Sequence, residues 1–134
     1  MMIGFDTNVL VHAFDPTDAV KHERCSQALQ RVFDGREPGA VSAQVLAEFA
    51  FVATRKVKHP MPRETAERLV RAIRTSASWT VLPYSAEDVE SAVSATGPFW
   101  DALIASTLWR NGVRTILTFN GKDFVTSGLA IRTP

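Results

Sequence analysis

The chain has one cysteine and almost no net charge, and each shortage excludes something. A single thiol, Cys25, makes no internal disulfide and fits a reducing interior. Its helical surroundings favour a small buried hydrophobe over a nucleophile. A formal charge of +1 creates no field over the whole molecule, so any affinity for nucleic acid must come from local clustering. No stretch approaches the ~18 apolar residues of a membrane span, and the N-terminus lacks a charged segment followed by an apolar core. The cytoplasm is the expected compartment, with no membrane contact. His12, His22 and His59 show no ligand spacing with one another and read as surface or half-buried residues.

What is present is ordinary for a globular protein. With 134 residues, 46% hydrophobic and 22% charged, residues 1–134 read as one domain with its own core. There are no repeats, linkers or low-complexity tracts. Apolar runs at Ile3–Phe5, Ala40–Val41, Trp79–Leu82 and Arg114–Leu117 read as strands, with Leu129–Ile131 as a short edge strand. Between them lie helical patterns: Asn8 to Ala13, a helix capped by Thr17 or Asp18 and running to Phe33, Ala43 to Val57, Arg63 to Ser76, one starting at Ser85, and Phe99 to Asn111. Strands alternating with single helices or helix pairs predict a parallel α/β sandwich.

Asp6 falls where the first strand should stop, followed by Thr7 and Asn8. Asp, Thr and Asn are poor inside strands but serve as helix caps and as ligands for hard cations. For Asp6 alone both readings stand. Two further acids occupy apolar helix faces: Glu48 among Val45, Phe51 and Val52, and Asp101 among Pro98, Ile104, Ala105 and Leu108. An unpaired buried charge costs several kcal/mol, and no basic residue shares either face. Asp123 follows the strand ending at Leu117, whose end lies on the same side of a parallel sheet as that of the Asp6 strand. Asn120-Gly121 is a tight-turn pair, and either Asn120 or Asp123 can face inward. An all-oxygen set of carboxylates selects Mg²⁺ or Mn²⁺ over zinc.

Four segments occur in a fixed order: Asp6-Thr7-Asn8 after a strand, Glu48 within Ser42 to Phe49, Phe99-Trp100-Asp101-Ala102-Leu103-Ile104-Ala105, and Thr118-Phe119-Asn120-Gly121-Lys122-Asp123-Phe124. Together they resemble a PIN domain, and specifically a VapC-type toxin ribonuclease of a toxin–antitoxin pair. The resemblance spans essentially the whole chain. It implies a PIN-like three-layer α/β/α sandwich with a small, mostly parallel central sheet. It also implies catalytic carboxylates at Asp6, Glu48, Asp101 and Asp123. Asp6 and Asp101 would be the primary ligands of Mg²⁺ or Mn²⁺, and Glu48 and Asp123 the secondary ones. Some relatives use the Asn120 position instead of the fourth acid. Thr7, Asn8, Thr118 and Asn120 would support the site.

The implied reaction is hydrolysis of RNA phosphodiester bonds by a metal-activated water, and the implied partners are a cognate antitoxin and a second copy of the chain. Arg55, Lys56, Lys58, Arg71 and Arg74 belong to a basic cluster able to track a phosphate backbone; a solvated helix face with Glu–Arg pairs is the alternative. Arg110 and Arg114 are further candidates. Trp79, Trp100 and Trp109 read as core or interface residues. The alternatives to a toxin are a PIN nuclease in RNA processing, a vestigial PIN-like binding module, or a Mg²⁺-dependent phosphatase or receiver-like domain, which also places Asp after a first strand.

Overall fold

The computed structural model describes residues 1–134. Five strands form one parallel sheet in the order β3-β2-β1-β4-β5, namely β1 (Ile3–Phe5), β2 (Gly39–Ser42), β3 (Trp79–Leu82), β4 (Thr115–Leu117) and β5 (Ala130–Arg132). β1 and β2 are buried throughout, as a central parallel strand covered on both faces must be. β5 is exposed along its length and closes one edge.

The helices are α1 (Thr7–Phe14), α2 (Ala19–Phe33), α3 (Ala43–Arg55), α4 (Arg63–Thr75), α5 (Ala86–Ser94) and α6 (Phe99–Arg110). Most start where a side chain satisfies the orphan amides. Asp18 accepts from Lys21 N at 3.1 Å and Ser42 from Val45 N at 3.1 Å. Ser85 and Asp88 form a reciprocal capping box. α1 packs against α2 and α3, and α3 against α4, while α5 packs on α6 and α6 on β2. The right-handed rule for parallel crossovers assigns these two groups to opposite faces of the sheet. Glycines let the two layers approach. A Cβ on Gly4 would meet the Leu108 side chain of α6 at 2.6 Å, and one on Gly39 would meet Val32 of α2 and the Trp79 ring at 2.8 Å. A cluster of 26 buried apolar residues, with Phe5 and Phe49 among the largest, fills the sandwich. Cys25 belongs to it, and burial pushes its thiol up to about 11. No helix is long and apolar enough to cross a membrane.

The three-layer α/β/α sandwich expected from the sequence is the observed one, its sheet parallel throughout. A receiver-like domain has the order 2-1-3-4-5, so the strand order separates this chain from that alternative. The remaining differences are local. α1 starts at Thr7 rather than Asn8 because Asp6 itself caps it. Gly121–Phe124, expected as a plain turn, is one turn of 3₁₀ helix. Trp79 is core, but Trp100 and Trp109 are 61% and 45% exposed. α3 is apolar nearly all round, so its buried stripe was ambiguous. Val45, Phe49 and Ala53 face the core, whereas Phe51, expected beside Glu48 on the inward face, is 48% exposed.

Candidate active site

Sheet order places the site. Connections leave β1 toward β2 on one side and return to β4 on the other, so the carboxyl ends of β1 and β4 flank a topological switch point. Asp6 is the residue after β1 and Thr118 the residue after β4, and they meet there. Asp6 is 4% exposed. Its Oδ1 accepts from Thr7 N at 2.8 Å and its Oδ2 from Thr118 Oγ1 at 2.7 Å. Asn120 N donates to the same Thr118 oxygen at 2.9 Å, which fixes the hydroxyl proton toward Asp6. The cap and the inward carboxylate are therefore one side chain, with one oxygen serving each role. Burial raises the Asp6 pKa, the hydrogen bonds from Thr118 and Thr7 pull it down, and the nearby Asp123 charge raises it again.

Glu48 enters from α3. Gln44, one turn earlier, donates to Glu48 Oε1 at 2.9 Å and to Trp100 O at 3.1 Å, and Thr7 Oγ1 donates to the same Glu48 oxygen at 3.4 Å. Gln44 thus ties α3 to the start of α6, where Asp101 lies in the first helical turn. Burial, then the charges of Asp6, Asp123 and Glu48, push the Asp101 carboxyl up to about 6. Asp101 thus feels the charges of the other three acids.

Asp6, Glu48, Asp101 and Asn120 line one cavity of about 290 Å³, with Thr7, Asn8 and His12 among its other walls. Asp123 faces Asp101 from the neighbouring cavity. Asn120 and Asp123 therefore flank the site from its two sides, joined by the bond from Asp123 N to Asn120 O at 2.9 Å. None of the chain's four ion pairs includes Asp6, Glu48, Asp101 or Asp123. Burial, then the Lys21 ammonium, lower the His12 pKa from the usual imidazole range.

A fifth inward acid escaped sequence reasoning. Asp88 on α5 is fully buried, yet Arg110 at the end of α6 grips it at 2.8 Å, with Ser106 at 2.9 Å. Burial alone would raise its pKa, but the bonds from Arg110, Ser85 and Ser106 bring it down to about 2. It is what the four site acids are not, a buried carboxylate neutralised by a cation. Arg110, expected as a possible nucleic-acid contact, is engaged there, and Arg114 stacks on Trp109 at 3.7 Å. Gln44 also went unnoticed; its only signal was its spacing of one helical turn before Glu48. His12, expected as a surface or half-buried residue, is half-buried and lines the acidic cavity.

The basic cluster lies apart from the acids. Arg55, Arg71 and Arg74 rim a groove of about 580 Å³ between α3 and α4, floored by Ala47, Ala50, Phe51 and Val70. Arg71 pairs with Glu67, and Arg55 and Lys56 stand over the Phe51 ring at 5.1 and 5.6 Å. Lys58 is exposed in the loop after α3.

The donor set suits a hard divalent cation: carboxylate and amide oxygens, no sulfur, no neutralising base, and a buried Asn8 Oδ1 with no hydrogen-bond partner at the cavity wall. No three of the chain's Asp, Glu, His and Cys side chains stand close enough to hold one ion by themselves. Mg²⁺ does not require that, since it keeps several waters and binds through one or two carboxylates plus substrate phosphate.

The fold and site define an open parallel α/β protein with an uncompensated acidic crevice at its switch point. The PIN domain model matches residues 3–125, and the chain belongs to that family. No curated protein matches it significantly. Among solved structures it resembles VapC20 of Mycobacterium tuberculosis, a sarcin–ricin loop cleaving toxin, at 24% identity over 98% of this chain and 99% of that one, with a TM-score of 0.72. VapBC2 from Rickettsia felis bound to a promoter DNA fragment matches at 19% identity, 99% and 98% coverage and a TM-score of 0.65. FitAB bound to a DNA fragment matches at 19%, 99% and 95% coverage and 0.64. At these identities the likeness is one of fold.

Proposed function

We propose that the chain is a single-unit, VapC-type PIN toxin: a Mg²⁺- or Mn²⁺-dependent endoribonuclease of the cytoplasm, acting as a homodimer and restrained by a cognate antitoxin. The observation that carries the reading is three carboxylates, Asp6, Glu48 and Asp101, from three separate segments that line one crevice without a basic partner, with Asp123 beside Asp101 in the adjoining cavity. Like charges collected at that cost are held for a ligand of opposite charge. That two solved neighbours are complexes of this toxin class with a partner and DNA supports the antitoxin assignment.

In this reading Asp6 and Asp101 would hold the cation, which when bound would supply charge for a non-bridging phosphate oxygen and lower the pKa of a water. The hydrogen bonds from Thr7 N and Thr118 favour the ionised form of Asp6 and fix its orientation. Glu48, steadied by Gln44 and Thr7, accepts a hydrogen bond from the attacking water, and Asp123 closes the opposite side. The water oxygen attacks phosphorus in line and gives up a proton through Glu48 to solvent, while the P–O3′ bond breaks opposite it and O3′ takes a proton from solvent. The products are a 3′-hydroxyl and a 5′-phosphate. No side chain becomes covalently attached.

The test is cleavage of RNA with Mg²⁺ or Mn²⁺ against a chelated control. The wild type is expected to cut, leaving 5′-phosphate ends, and Asp6→Asn to lower kcat/KM at least about 100-fold. Metal-independent cleavage, or equal rates in the variant, would overturn the reading. Gln44→Leu is expected to weaken Mn²⁺ binding about 10-fold by calorimetry, because Glu48 loses its brace and α6 its tether to α3. Unchanged affinity would make Gln44 a packing residue only.

A further inference from the structure

Beside the acidic crevice a second cavity of about 420 Å³ runs along α6, between α5 and the 3₁₀ turn. Asp101 lines both cavities, and Asp123 is part of the second. Trp109 and Arg110 stand toward the other end of α6. Eight residues of helix separate Asp101 from Trp109, roughly 12 Å at the α-helical rise. A nucleotide whose phosphate sits at the carboxylates would send its base into this space.

The lining says what kind of group fits. The floor is of short side chains, Ala102, Ala105 and Ser106. Asp88 is neutralised by Arg110, but the adjacent Glu87 also lines the cavity and makes no ion pair. A second phosphate would face Glu87, Asp101 and Asp123 with only Arg110 opposite. That guanidinium already donates to Asp88 and to Pro83 O. A neutral group rich in donors suits the cavity better. Guanine is the base whose Watson–Crick edge offers two adjacent N–H donors, the pattern that both oxygens of one carboxylate accept.

Resting on the nuclease reading above, we propose that this cavity holds the base of the nucleotide next to the scissile phosphate, and that Glu87 makes guanine the favoured base. Two experiments test it. In the first, the metal-free full chain is titrated with guanosine, adenosine, cytidine, uridine and a short polyarginine peptide, following backbone amide shifts by NMR. Guanosine is expected to shift Ala102, Ala105 and Ser106 and to bind at least 10-fold tighter than the other nucleosides. Glu87→Gln should remove that preference, and Ala102→Leu, which fills the cavity from its floor, should weaken every nucleoside. In the second, oligoribonucleotides carrying guanine at single positions are cleaved by the wild type and by Glu87→Gln. A preference of at least 10-fold for guanine beside the cut bond is expected in the wild type and not in the variant.

Equal binding of all four nucleosides, or peptide in the cavity where guanosine does not bind, would overturn the proposal. Cleavage with no base preference would overturn it too and leave the nuclease reading standing. Guanosine binding without RNA cleavage would overturn the nuclease reading and leave the base site standing.

Discussion

Asp101→Asn is expected to lower RNA cleavage at least about 100-fold and, in the same protein, to make the metal-free chain more stable. The two effects share one cause. The Asp101 carboxyl is pushed up to about 6 by burial and by the Asp6, Asp123 and Glu48 charges. Between pH 4 and 6 the folded chain therefore holds a proton that the unfolded chain releases. Its stability falls as pH rises through that window and stays low above it. Asparagine has the same shape and does not ionise, so the penalty disappears. After discounting for the partial exposure of Asp101, the gain at pH 7.5 is about 1–2 kcal/mol. A thermal melt in chelator should show the variant several degrees above the wild type at pH 7.5 and close to it at pH 4. Added Mn²⁺ should raise the melting temperature of the wild type and barely move the variant. A variant less stable than the wild type in chelator would show that Asp101 is a structural cap rather than a charge held for a cation.

Asp88→Ala is expected to be the most destabilising single change among the acids, costing about 2–4 kcal/mol. It removes a fully buried carboxylate that Arg110, Ser106 and the Ser85 amide all hold. Arg110 keeps some contact with water, which places the loss below that of a fully enclosed pair. The pH dependence runs opposite to that of Asp101. Asp88 is held down at about 2, so its contribution is complete above pH 4 and is lost as pH falls from 4 toward 2. Urea unfolding at pH 7 checks the magnitude, and repeating it at pH 3 should shrink the gap between wild type and variant. A loss below about 1 kcal/mol at pH 7 would leave Asp88 with its capping role alone.

The contrast between these acids shows how much of the site was legible. Glu48 and Asp101 stood out because helical spacing is local, and a carboxylate among same-face apolar neighbours is visible within one turn. The same reasoning passed over Asp88. Its capping box with Ser85 gave it an ordinary local role, while its cation lies 22 residues away on another helix. The link from Thr118 to Asp6 spans 112 residues and that from Gln44 to Trp100 spans 56, so no local period reports either. The exposed face of Phe51 was misjudged for a related reason. A helix apolar on most sides has no unique inward stripe until its neighbours are placed.

The sequence by itself determined what short-range chemistry controls: where strands stop at Asp6 and Leu117, where Ser42 and Ser85 start helices, and which acids lack a basic neighbour on their own helix. Only the tertiary structure decided how the strands are ordered, that Asp6 serves as both cap and inward carboxylate, and that Asn120 and Asp123 flank the site from two sides. Those outcomes depend on contacts between residues far apart in the chain. Their energies are set by which faces the packed sheet and helices bring together, and no local pattern of residues encodes that.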